Sequence, residues 1–227
     1  MKFLIHTIPD RMWYVDRYIL PRFKGSGATV DIYNDIHGDG NLISTMKSFL
    51  YYSDETKGSK KSTWHLQDDI LLCHDFVERC SEVDDSYLVV CGTCYYLNKE
   101  NLHKKTLKPH NMWWSFPCIR INDRIAYECA RWFFDRGRFE KRFKMHIEAG
   151  RYDDLFFRTY LQEHYPRIDC LNMYPNLVDH VDCLLGGSRV GNDWQLKEGG
   201  GSRRAVGFED DYLFDELVRS LKREGRL

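Results

Sequence analysis

The chain has 227 residues, 43% of them hydrophobic and 15% aromatic, with a formal net charge of -1 at pH 7. That length and apolar content exclude a disordered chain and suffice for one α/β domain, or at most two small ones. The near-neutral charge excludes a globally basic nucleic-acid binder, and no apolar run has the length of a membrane span or signal peptide, so the expected setting is cytoplasmic.

The predicted elements alternate from the first residues. Lys2 to Ile5 reads as a strand, stopped by Pro9, and Met12, Val15 and Ile19 lie at helical spacing up to Pro21. Ala28 to Tyr33 is a β-branched and aromatic strand, followed by the polar loop Asn34 to Gly40 and a helix over Asn41 to Tyr52. Thr63 to Leu66 and Ser86 to Cys91 are further strands. This alternation predicts an α/β fold with a mostly parallel sheet and crossover helices, whose ligands bind at the carboxyl ends of the strands. The loops Thr7 to Arg11, Asn34 to Gly40 and Gln67-Asp68-Asp69 are then the ones to watch.

The second half carries helical spans over Arg124 to Phe134 and Asp153 to His164, then an irregular stretch from Asn172 to Gly187. Gly199 to Ser202 reads as a flexible linker before an amphipathic helix over Tyr212 to Leu221. The expected division is a domain over 1–190 and a linker with terminal helix over 191–227. No phosphate loop of the G-x-x-x-x-G-K-[ST] kind is present, which argues against a P-loop kinase. The eight cysteines are expected as reduced thiols, and Cys91-Gly92-Thr93-Cys94 as the end of a buried strand, because a zinc site would want a second such pair.

Three constellations could carry chemistry. Asp68 and Asp69 follow a buried strand, and adjacent carboxylates need a positive charge to offset them; a divalent cation with oxygen ligands would serve. His180, after a proline turn at Pro175, is a candidate extra ligand for Mn²⁺. Asp153 and Asp154 open a helix, where aspartate either caps or acts as a general base toward a hydroxyl.

Together these segments carry a resemblance. The chain resembles GT-A-type glycosyltransferases, nearest to small lipopolysaccharide- and collagen-type galactosyltransferases, through Thr7 to Arg11, Leu66 to Ile70, Tyr152 to Asp154, Pro175 to His180 and Leu184 to Ser188. It covers about residues 1–190. It implies a GT-A-like, Rossmann-like single domain with Mn²⁺ or Mg²⁺ and a nucleotide-sugar donor, a UDP-sugar first. By the same resemblance Asp69 and His180 bind the metal, Asp68 holds the ribose or the metal's water shell, Thr7, Arg11 and Asp35 surround the nucleotide, and Asp154 or Asp153 is the base. The motif reads Gln-Asp-Asp where the family has Asp-x-Asp, a departure that bears on Asp68.

For the acceptor, basic residues cluster at Lys57 to Lys61, at His103 to His110 and from Arg131 to Lys144, the last interleaved with Trp132, Phe133, Phe134, Phe139 and Phe143. Such stretches can follow a phosphate backbone and stack bases, or simply be a solvated helix face. In size and architecture the chain is also similar to bacteriophage enzymes that glycosylate hydroxymethylated pyrimidines. That similarity implies a DNA acceptor, 5-hydroxymethylcytosine first, with Arg138, Arg142, Arg203 and Arg204 as its contacts and the host cytoplasm as the setting. The alternatives are a glycosyltransferase acting on a surface polysaccharide or protein, and a metal-dependent nuclease or DNA-binding protein.

Overall fold

The computed structural model describes residues 1–53, 61–93, 106–109, 116–148, 153–186 and 208–227. The strands are β1 (Lys2–Thr7), β2 (Thr29–Asn34), β3 (Ser62–Gln67), β4 (Ile70–Leu72), β5 (Val89–Cys91), β6 (Thr106–Leu107), β7 (Cys118–Asn122), β8 (Cys170–Asn172) and β9 (Val178–His180). Seven of them form one sheet in the order β2-β1-β3-β7-β5-β8-β6, and β4 pairs with β9 alone. β1 runs parallel to β2 and β3, and β5 parallel to β8; β7 and β6 are antiparallel to their neighbours. Five of the seven strands therefore point one way, and the expected mainly parallel α/β sheet is what the chain adopts.

The sheet is sandwiched between two helical layers, as alternation along the strands requires. On β1, Phe3 and Ile5 face one core, while His6 turns to the other side, where its ring meets Ser48. One layer holds the helical residues 9–23, which include α1 (Met12–Tyr14), together with α3 (Phe76–Ser81) and α7 (Asp211–Arg223). The other holds α2 (Asn41–Ser53), α4 (Asp123–Asp135), α5 (Lys141–Glu148) and α6 (Asp153–His164). Residues 9–23 form one winding segment, not the regular helix the spacing suggests: it opens tight at Pro9–Arg11, widens to a π turn at Val15–Ile19 and closes tight at Leu20–Phe23.

The sequence reading gives no sign of β4, β6, β8 or α3, and two further differences bear on the sheet and the site. Residues 118–122 were assigned no element, yet β7 lies at the sheet's centre, because its buried Arg120 breaks the apolar pattern while donating to Asp85 and to the carbonyls of Asp84 and Tyr87. The stretch expected to be irregular contains β9, whose pairing with β4 sets the register Ile70 opposite His180.

Topology places the site. β2 and β3 flank β1 on opposite sides, so the winding reverses between β1 and β3, and the crevice at such a reversal is where open α/β sheets bind ligands. Thr7 and Gln67 end the two strands at that point.

The proposed linker, Gly199 to Ser202, lies outside the described residues. The terminal helix α7 is docked on the body: Leu217 and Leu221 are buried in the core shared with β1 and β3, and the Tyr18 hydroxyl donates to Glu224 at 2.7 Å and lies 3.0 Å from the Ser220 hydroxyl. No described helix is long and apolar enough to cross a membrane. Because Leu221 is fully buried, Leu221→Ala is expected to destabilise the whole domain by about 2–5 kcal/mol in urea unfolding with one transition. A change below about 0.5 kcal/mol would mean that the helix is an independent tail.

Candidate functional site

The site begins where β1 and β3 end. Asp68 and Asp69 form the turn between β3 and β4, and both are nearly buried. Arg11 reaches them from the segment after β1: one guanidinium nitrogen, Nη1, lies 3.0 Å from Asp68 Oδ1 and 2.9 Å from Asp69 Oδ2. The second oxygen of Asp68 accepts from the Thr7 hydroxyl at 2.9 Å and from the Ile8 N–H at 3.3 Å. Asp68 thus ties the end of β1 to the end of β3. Thr7 and Arg11, expected around a nucleotide, are 4% and 5% exposed and direct these donors to the acidic pair.

Asp69 faces the other way as well. Its Oδ1 lies 3.1 Å from His180 Nε2, and His180 Nδ1 lies 3.3 Å from Asp182 Oδ1. The β4–β9 ladder sets this contact, and the Val181 N–H donates to the Asp69 carbonyl at 2.8 Å. The structure thus brings the acidic pair and His180 together across more than a hundred residues of chain. Burial would depress the His180 pKa, but Asp69 and Asp182 overcome it and raise it to about 10. Burial likewise opposes ionisation of Asp69, yet His180 and Arg11 hold it far below the usual carboxylate range. Asp68 moves upward, through burial and its acidic neighbour, with Arg11 and Thr7 partly offsetting them.

Asp69 and His180 fit a divalent cation. One carboxylate oxygen and one imidazole nitrogen are side by side, and the far ring nitrogen is held by a carboxylate, the usual support of a metal-binding histidine. Two protein ligands of this kind, completed by phosphate oxygens and water, suit Mg²⁺ or Mn²⁺. Asp182, which the sequence reading missed, becomes visible as a supporting group only once β9 is in register.

Asp35 stands at the same edge of the sheet. Its N–H donates to the Thr7 carbonyl at 2.8 Å, and its carboxylate accepts from the Asp39 N–H. The loop it opens runs into α2, and α2 holds the second acidic pair. Asn41 Nδ2 donates to Asp153 Oδ1 at 2.9 Å and Thr45 Oγ1 to Asp153 Oδ2 at 3.1 Å. Asp153 is therefore an anchored, buried carboxyl, and burial together with Asp154 raises its pKa to about 7. Asp154, half-buried, is the more accessible of the two. Two further groups at this edge escaped the sequence reading. Thr93 and Asn172 lie at the carboxyl ends of β5 and β8, and their Oγ1 and Nδ2 are buried with no hydrogen-bond partner among the described residues.

Of the expected acceptor residues, Arg138 and Arg142 are among those described. Arg203 and Arg204 lie outside the described residues, as do most of the two shorter basic clusters. In the span from Arg131 to Lys144, Phe133 and Phe143 are buried in the core, and Trp132 and Phe134 pack against it. Arg142 pairs with Glu140 and Glu163, Arg131 with Asp135 and Lys144 with Glu148. Arg138 differs: it is exposed, with its guanidinium 4.6 Å from the ring centre of Phe139, itself 71% exposed.

The raised pKa of Asp153 has a consequence for stability. A carboxyl at about 7 in the folded state and near 4 when unfolded favours folding fully below about pH 4, and that contribution is lost as pH rises through 7. Asp153→Asn keeps the shape and cannot ionise. Unfolding free energies of the wild type should fall relative to this variant from pH 4 to 8, by a few kcal/mol in all at about 1.4 kcal/mol per pH unit. Parallel profiles would show that Asp153 is ionised at no cost.

No family model matches the chain, and no curated protein does. Among solved structures it is similar to a glycosyltransferase involved in the glycosylation of the major capsid of PBCV-1, at 10% identity and a TM-score of 0.48, over 87% of this chain and 100% of that one.

Proposed function

We propose that the protein is a metal-dependent glycosyltransferase that uses a nucleotide-sugar donor, a UDP-sugar first. The observation that carries this reading is the placement of Asp69 beside His180 at the reversal point of a mainly parallel sheet, where a nucleotide has its natural site. A bound Mn²⁺ or Mg²⁺ would be held by Asp69 and His180 and would supply charge neutralisation for the diphosphate leaving group.

The chain's own residues do the rest. Arg11 and Thr7 fix the acidic turn, and Asp35 lies beside them for the nucleoside. Asp154 is the general base, and Asp153, locked by Asn41 and Thr45, positions it. The acceptor oxygen bonds to the anomeric carbon, the bond from that carbon to the diphosphate oxygen breaks, and its electron pair leaves with the nucleotide. The acceptor's proton passes to the Asp154 carboxylate. Thr93 and Asn172 are suited to sugar hydroxyls, since buried polar groups want partners.

For the acceptor, 5-hydroxymethylcytosine in DNA remains our proposal. What supports it is Arg138 over the exposed Phe139, a cation beside an aromatic face that a nucleic acid could use. The paired state of Arg142 favours the competing acceptor, a saccharide or protein hydroxyl.

Transfer should require Mn²⁺ or Mg²⁺ and stop with chelator, and Asp69→Ala should lose about a thousandfold in rate or more, some 4 kcal/mol of barrier. Full activity in chelator would remove the metal role from Asp69 and His180 together. Asp154→Asn should cost roughly a hundred- to ten-thousandfold in turnover with donor affinity nearly unchanged. Intact turnover in Asp154→Asn would reduce that residue to a helix-terminal charge. Hydroxymethylated DNA, offered with several nucleotide sugars and digested to nucleosides, should show a sugar adduct by mass, weakened by Arg138→Ala and by salt. Labelling of a saccharide or protein and none of DNA would settle the acceptor against DNA.

A further inference from the structure

One short strand beyond the acidic turn, at the far end of β4, a second group of ligand-type side chains gathers where the C-terminal segment meets the body. Cys73, Asp75 and Asp210 present one sulfur and two carboxylate oxygens, all within 4.8 Å of one another. His74 stands beside the set: its Nδ1 lies 3.0 and 2.9 Å from the two oxygens of Asp210 and 3.9 Å from Asp75 Oδ1. The His74 backbone N–H also donates to Asp210, at 2.8 Å.

Several features distinguish this cluster from an ordinary acidic surface. Cys73 is 2% exposed, and its thiol is turned toward the two carboxylates. Asp75 holds the N-cap position of α3, yet its side chain makes no capping bond there. The Arg79 guanidinium lies 3.8 Å from the Cys73 sulfur. A buried thiol and two carboxylates converging on one point give a cation three ligands, and water can complete a tetrahedron. Sulfur beside oxygen selects a borderline-soft ion over Mg²⁺ or Ca²⁺.

We propose that Cys73, Asp75 and Asp210 form a Zn²⁺ site that clamps the start of the C-terminal helix to the loop before α3. The ligands come from segments 136 residues apart, so an ion there cross-links the chain. It would act with the contacts that α7 already makes through Tyr18 and Leu221, and it uses none of the residues of the proposed transferase site.

The test uses the full chain, stripped with chelator, dialysed, and titrated with ZnCl₂ alone in an Asp69→Ala background, so that the proposed catalytic site cannot contribute. One zinc per chain is expected, with a rise in melting temperature that follows zinc concentration. Asp210→Asn and Cys73→Ser should each weaken binding at least tenfold. Co²⁺ in place of Zn²⁺ should give thiolate-to-metal charge-transfer absorption that Cys73→Ser removes. If Cys73→Ser does not fold, Asp210→Asn, at a less buried position, decides. No zinc uptake by the stripped chain would overturn the proposal. So would uptake unchanged by Asp210→Asn, or uptake seen with Asp69 intact and lost in the Asp69→Ala background.

Discussion

Two carboxylates buried side by side repel each other, and each loses its hydration, so a chain that places Asp68 next to Asp69 must bring cations to them. Arg11 meets both with a single nitrogen, and His180 meets Asp69 from the opposite side. The rest of the site's geometry follows from this requirement. Arg11 can reach the pair only because residues 9–23 wind back against the end of β3, and His180 can reach it only because β9 pairs with β4. Asp68 gives its remaining oxygen to Thr7 and Ile8, which closes the gap between β1 and β3. One electrostatic constraint therefore joins four segments at the point where a nucleotide would enter.

The arrangement also separates the tasks of the two aspartates. Asp68 has both oxygens engaged inside the protein, which makes it a brace for the turn. Asp69 keeps one oxygen toward His180 and is held strongly acidic. A ligand for a hard cation must stay ionised, and the oxygen beside His180 is the one suited to such an ion. The second acidic pair has the opposite electrostatics: Asp153 is buried against neutral donors and moves to about 7. Asp69, held acidic, and Asp153, pushed up, are carboxyls driven in opposite directions at one edge of a sheet, which suits the proposed cation and proton roles.

Much of this was legible in the sequence. The strands ending at Thr7, Asn34 and Gln67 follow from β-branched and aromatic runs closed by polar loops, and they fixed which loops to examine. The acidic turn, His180 and the Asp153-Asp154 pair were all chosen from the chain. What could not be read depends on long-range pairing. β7 was hidden because Arg120 is charged yet buried, its donors satisfied by carbonyls distant in sequence. Asp182 gains meaning only from the β4–β9 register. The aromatics between Arg131 and Lys144 resembled a stacking surface in one dimension, but α4 and α5 turn most of them inward. The Cys73 cluster has no C-x-x-C spacing, since its third member, Asp210, comes from the C-terminal segment.

The most direct measurement is a crystal structure of the protein grown with UDP and MnCl₂, with anomalous diffraction data that locate manganese. The predicted result is manganese held by Asp69 and His180, with the nucleoside over the ends of β1 and β2. Nucleotide bound elsewhere on the chain, or manganese absent from Asp69 and His180 while the nucleotide is bound, would contradict it.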